Sequence, residues 1–325
     1  MTRRLPSPRV VIAGLAAMAL AAGSIAALLA DLYGVAAMHV AILTVTVPAM
    51  ALLTGLALVP IPGLGEVRDR IRVGALGGLL GTVAYDLIRV PFVLGGLRAF
   101  APIYSYGVMG LDADAASSAT AVAGWTYHLS NGITFGIIYA LVAARRSRWW
   151  AVGWGVALEA AAFVGPFTEQ YNLTGKTAAI VLAFGAHVAY GYPLGMVVER
   201  YDRVADRLRR SRVPVVAVAI AVAVAGIVVA FHPWTSTDAR ELASELTDET
   251  GIATTVIDGR SFDPEWLRID LGECVAVFNP GAESFDTVLG VVGPGSTTLC
   301  PDESGIHRVR LGTRPFSGGF ILVED

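Results

Sequence analysis

Residues 119–143 read ATAVAGWTYHLSNGITFGIIYALVA, and residues 176–198 read KTAAIVLAFGAHVAYGYPLGMVV. In each, a histidine sits inside an apolar run, and glycines follow at the next two helical turns: His128, Gly132, Gly136 and His187, Gly191, Gly195. Runs of roughly 20 mostly apolar residues have the length of a bilayer-spanning helix. An ionisable side chain within one is costly, so it points into a helix bundle. Small residues one turn apart let two helix backbones approach closely. The two stretches therefore predict packed helices with a polar interior.

Composition agrees. Over 325 residues the chain is 54% hydrophobic and 16% charged, with a mean hydropathy of +0.61, beyond what a soluble domain of this length carries. Seven stretches predict spans, at about 10–30, 35–58, 73–95, 119–143, 149–166, 176–198 and 213–231. The first resembles a signal peptide, with an arginine pair, an apolar core and small residues at 21–27. Its apolar run is longer than a signal core, which favours an uncleaved anchor; cleavage would leave six spans and the same topology.

Orientation follows from the basic residues, which are retained on the cytoplasmic side. Arg3, Arg4 and Arg9 precede the first span. Arg68, Arg70 and Arg72 lie in the second loop, Arg145, Arg146 and Arg148 in the fourth, and Arg200, Arg203, Arg207, Arg209, Arg210 and Arg212 in the sixth. The alternate loops hold only Arg98 and Lys176, a ratio of fifteen to two. The N-terminus is expected in the cytoplasm and everything after the seventh span outside the cell membrane.

The tail is different material. Residues 232–325 carry 16 acidic and 6 basic side chains, against 11 and 18 in the rest. The expected organisation is a transmembrane helical domain at 1–231, a linker with a short helix at 232–250, opened by Asp238 and Glu241, and an extracytoplasmic β-domain at 251–325. Apolar or alternating runs at 253–257, 266–271, 274–278, 287–292, 307–311 and 319–323, separated by turn residues, predict short strands of a small sandwich. Cys274 and Cys300 are expected to form a disulfide, which persists in an oxidising compartment. The alternative, two ligands of a metal site, has no nearby His or Cys to complete a shell.

The order of Phe262, Asp263 and Pro264, then Leu267, Gly272, Val275, Phe278 and Asn279, later Gly293, Pro294, Gly295, Gly305 and Phe316, and finally residues 318–323, resembles a cupredoxin domain. The resemblance covers the last 75 or so residues. It implies a copper site of two His, a Cys and an axial Met, but the corresponding positions fall near Phe285, Leu311, Arg314 and Phe316. It therefore implies the fold without a blue-copper centre, in a domain used for binding or stabilisation. His307 is expected as a surface or edge residue.

In the helical part the candidate site is a polar set: Asp86, Arg89, His128, Asn131, Glu159 and His187. Each histidine span follows a span that ends in Pro-Phe (Pro91-Phe92, Pro166-Phe167), opens on a Gly-rich segment (74–81, 153–155) and carries one acid. This predicts that spans three and four repeat in five and six as a parallel two-helix repeat. Two roles compete for the set: a structural hydrogen-bond clamp, or a convergent site for a polar solute, ion, metal or haem. No His-x-x-x-His or Glu-x-x-His pair occurs, which weakens the metal case, though bis-His ligation of a haem by His128 and His187 is geometrically allowed.

The long outer loop at about 96–118 is expected to lie under the β-domain and cap the bundle. No phosphate-binding loop, dinucleotide fingerprint or nucleophile elbow occurs, and the basic residues are explained by topology rather than by nucleic acid. The expected partners are the lipid bilayer and an extracytoplasmic protein or small molecule. The leading expectation is a non-enzymatic membrane protein with an outer binding domain; the alternatives are a small-solute or ion transporter and a membrane haem or metal redox protein.

Overall fold

The computed structural model describes residues 7–94, 100–114, 116–164, 177–210, 252–258, 261–311 and 318–324. The span expected at 213–231 and the linker at 232–250 lie outside the described residues. Helices α1 (Pro8–Leu32), α2 (Met38–Leu58), α3 (Gly65–Leu94), α4 (Ala101–Gly110), α5 (Ser118–Ala143), α6 (Arg148–Val164), α7 (Thr177–Glu199) and α8 (Tyr201–Arg210) precede strands β1 to β8.

Local signals explain the helix boundaries. Ser7 precedes Pro8 at the start of α1, and Pro102 occupies the first turn of α4, where its missing N–H costs nothing. Ser117 and Thr120 close a capping box on α5. Within α2 the ladder widens to a π-turn over Ile42–Thr46 immediately before Pro48, whose ring cannot supply the next N–H.

Four of the described helices, α1, α2, α3 and α7, are long and apolar enough to cross a membrane. Their outward side chains suit lipid: Leu15, Leu43, Leu87 and Val181 are all at least 60% exposed. Four is fewer than the seven expected. Helix α5 has the length, but Thr126, His128, Ser130 and Asn131 dilute its apolar character. Helix α6 has 17 described residues. Residues 96–118, expected as a loop, contain the buried helix α4.

Glycines bring the helices together in two hairpins. A Cβ built on Gly136 of α5 would lie 2.5 Å from Gly78 Cα of α3, and one on Gly74 2.6 Å from Ile137 Cα. In the second hairpin, a Cβ on Gly191 of α7 would lie 2.6 Å from Val152 Cα of α6, and one on Gly195 2.6 Å from Arg148 Cα. Helix α3 also packs on α7, with Gly77 against Leu194 and Gly81 against Tyr190.

The C-terminal part comprises β1 (Ala253–Asp258), β2 (Ser261–Asp270), β3 (Val275–Asn279), β4 (Phe285–Thr287), β5 (Gly290–Val292), β6 (Gly295–Leu299), β7 (Gly305–Val309) and β8 (Gly318–Glu324). Six form one mixed sheet in the order β6-β3-β1-β2-β8-β7, and β4 and β5 form a separate hairpin. Where short strands of a small sandwich are expected, the hydrogen bonding runs unbroken through six strands, beside the two-stranded hairpin. Strand β2 is the reason: its start pairs antiparallel with β1, its later half pairs parallel with β8, and the register shifts between Ser261 and Trp266, around Pro264. Strand β6 was missed because its polar Ser-Thr-Thr run follows a Gly-Pro-Gly turn signal.

Ile257, Phe262, Leu267, Val275, Val277, Leu299 and Ile321 form the core of this part. Cys274 and Cys300 are joined by a disulfide where β3 and β6 pair, with Cα atoms 4.3 Å apart.

Candidate polar site between the helix hairpins

Five of the six expected site residues lie close together. His128 Nε2 of α5 lies 3.0 and 3.2 Å from the two carboxylate oxygens of Asp86 on α3. His187 Nδ1 of α7 lies 3.0 Å from Glu159 Oε2 of α6 and 3.0 Å from Ala183 O. With both neighbours acceptors when Glu159 is ionised, Nδ1 is the nitrogen that carries the proton. Each hairpin thus holds one His–carboxylate pair beside its glycine crossing, in corresponding places.

Arg89 and Tyr85 link the pairs. Arg89 lies one helical turn from Asp86, with Nη1 3.5 Å from Oδ1. Its guanidinium lies over the rings of Tyr85 and Phe100, at 4.9 and 5.0 Å. Tyr85 touches both histidines, with ring centroids 5.7 Å from His128 and 4.9 Å from His187. The side chains are largely enclosed: Arg89 is 9% exposed, Asp86 and His128 15%, His187 17% and Glu159 7%. Charge is therefore balanced locally between one guanidinium, two acids and two imidazoles, as burial of ionisable groups in a bundle requires.

Asn131 pairs away from the other five: its Oδ1 accepts a 2.6 Å hydrogen bond from Ser24, on the adjoining flank of α5 that meets α1. The same flank holds Tyr127, whose hydroxyl donates to Ser24 O and accepts from Leu28 N. Those two groups are ones an uninterrupted helix pairs with each other, so the tyrosine bridges the α1 ladder at that turn. Tyr190 of α7 donates to Gly132 O, tying the two histidine helices together.

Sequence reasoning missed Tyr85 and Phe100 as part of the site, because an aromatic in an apolar helix is indistinguishable from packing. Asp31 is buried and accepts from Met38 N, and His39 Nδ1 lies 3.4 Å from Asp112.

The β-domain is seated against the helical part at the α4–α5 end of this site. Ala116 N donates to Ile306 O and Arg308 N to Asp114 O, extending the sheet at the free edge of β7 by backbone pairing. Asp112 meets Arg310 at 3.1 Å and Arg308 at 3.7 Å, and Arg310 also donates to the Asp112 carbonyl. Burial pulls the Arg308 guanidinium below its ordinary value, with Asp31 acting against it. Ile306, Phe320 and Leu322 share one apolar cluster with Phe100, Tyr104 and Trp125. Trp125 in turn touches His128 at 5.8 Å. His307 is in the edge strand but buried, bonding Glu303 O.

Among the described residues no three His, Cys, Asp or Glu side chains converge as a metal-ligand group. Phe285 and Leu311 pack with the β-core, and Arg314 and Phe316 lie outside the described residues.

A family model described as a family of unknown function, DUF6789, matches residues 68–209. That stretch contains all six expected polar residues and excludes α1, α2 and all of the β-strands. No curated protein matches the chain. Two solved structures match part of it. The reduced state of a proline-to-phenylalanine mutant of amicyanin is 20% identical, with a TM-score of 0.20 over 25% of this chain and 87% of that one. An oxidised methionine-to-lysine mutant of amicyanin is 22% identical, with a TM-score of 0.19 over the same shares. Likenesses this slight carry no argument about fold, copper or electron transfer.

Proposed function

We propose that this is a non-enzymatic, multi-pass cell-membrane protein whose bundle holds a proton-exchanging His/acid site and whose β-domain covers that site from outside. The proposed topology has seven spans, with the N-terminus cytoplasmic and the disulfide-closed domain at 251–325 extracytoplasmic. The observation that carries the reading is the convergence of His128–Asp86 and His187–Glu159 on Tyr85. Two acceptors each share a proton with an imidazole in a largely enclosed place, an arrangement that takes up and releases protons without exposing a lone charge to lipid.

Infrared difference spectra of the full chain in hydrated bilayers, recorded between neutral and acidic pH, test this. A protonated-carboxyl band that loses one component in Glu159→Gln and another in Asp86→Asn is expected. Wild-type spectra without such a band, or bands indifferent to both substitutions, would leave only a structural clamp.

A second reading, a small-solute or ion transporter, is favoured by the recurrence of the hairpin geometry, since parallel repeats build many transporters. A reconstituted flux unaffected by Asp86→Asn would remove it.

A further inference from the structure

Among the arginines at the expected cytoplasmic end, four have acidic partners. Arg70 pairs with Glu66, Arg145 with Asp202, Arg148 with Glu199, and Arg209 with Asp69 and Asp206. These contacts engage both acids of α8. Arg203, Arg207 and Arg210 have no acidic partner among the described residues, and all three are exposed. At spacings of four and three residues they form one stripe. It lies opposite the face on which Tyr201 and Ala205 are buried.

Chain continuity places that stripe. Helix α8 starts two residues after α7 ends at Glu199, and the apolar run at 213–231 begins three residues after Arg210. On the seven-span topology proposed above, spans flank this ten-residue helix on both sides, which holds its ends at the bilayer boundary and lays its length of about 15 Å along the surface. Its buried face packs sideways on the first turns of α3, where Tyr201 approaches Glu66 O and Arg209 holds the buried Asp69. The opposite face therefore looks outward over the neighbouring headgroups.

We infer that Arg203, Arg207 and Arg210 form a docking stripe for anionic phospholipid headgroups of the cytoplasmic leaflet. The inference rests on the seven-span topology proposed above. Three exposed guanidiniums on one helix face match a row of headgroup phosphates, and juxtamembrane arginines gain from the negative leaflet surface.

The test is native mass spectrometry of the full chain in detergent with equal phosphatidylglycerol and phosphatidylcholine. About ten-fold preferential retention of phosphatidylglycerol is expected. In R203Q/R207Q/R210Q, with helicity and melting checked to be unchanged, retention falls to parity. Equal retention by the wild type, a preference that survives in the triple variant, or displacement of the lipid by equimolar inorganic phosphate would each overturn the inference. Labelling of Asp206→Cys in intact cells by an impermeant thiol reagent isolates the topology: outside labelling sinks the seven-span reading, whereas protection together with equal lipid retention sinks only the docking stripe.

Discussion

Arg145 follows α5 in a left-handed conformation, φ 68°, that a non-glycine residue adopts only when held there. Nε and Nη2 both donate to Asp202, and the guanidinium lies 4.4 Å over the Tyr201 ring. These hydrogen bonds hold the Asp202 carboxyl below its ordinary range, with burial acting weakly against them. A lowered folded value means the clamp is present above the unfolded value of about 4 and is lost as pH falls through the folded one. Protection of the α8 amides, taken relative to the intrinsic exchange rate at each pH, is therefore expected to be flat from neutral pH to about 5 and to fall below about 4. In Asp202→Asn protection should already be low at neutral pH and show no acid step; a flat wild-type profile would contradict the assignment. At this scale the sequence marked the right residue types but not their partners. The i,i+3 relation of Asp86 and Arg89 was readable, whereas the pairing of His128 with Asp86 joins residues 42 apart.

Helix pairing was the most legible element. His-Gly-Gly spacing at one residue per turn placed both glycines and the histidine of each stretch on one face, and these faces make the α3–α5 and α6–α7 crossings. Gly136→Ala and Gly191→Ala each force a Cβ against a facing backbone that has no room to give. Each is expected to cost about 1–3 kcal/mol, read as a lowered melting temperature in detergent. Gly185 has nothing within 4 Å of a built Cβ, so Gly185→Ala should be neutral or slightly stabilising, by up to about 1 kcal/mol. Equal effects at all three positions would show that the loss comes from the backbone rather than the crossing. Helix α4 was not legible: Tyr104, Tyr106 and Gly107 in a stretch bounded by turn signals looked like a loop, and only burial between α5 and the β-domain makes it a helix.

On the scale of the whole molecule, the two parts are coupled through Asp112. It adopts a left-handed φ of 53° at the end of α4, which turns its carboxylate towards His39, Arg308 and Arg310 together. Asp112→Ala leaves the buried Arg308 without one of its acids. It is expected to raise amide exchange across Ile306 and Arg308 about ten-fold while leaving the α3–α5 crossing protected. Hydrogen-exchange mass spectrometry reads both at once. Unchanged exchange in β7 would mean that the apolar cluster alone seats the domain.

What the sequence determined by itself was set by solvent. Apolar run length and hydrophobic periodicity dictate which segments become membrane-length helices and which become strands, because each segment answers to lipid or water on its own. The helix runs expected from 10, 35, 119, 149 and 176 and the strand runs expected from 253, 274, 307 and 319 start within a few residues of observed elements for that reason, whereas α3 starts at Gly65 rather than at 73. The tertiary structure alone decided which polar groups meet: that Asn131 turns to Ser24, that Tyr85 lies between two His–carboxylate pairs, and that β7 takes the 114–116 stretch along its edge. Those contacts are satisfied by distant residues, and the free energy that selects a partner for a buried donor or acceptor exists only once the surrounding helices have excluded water.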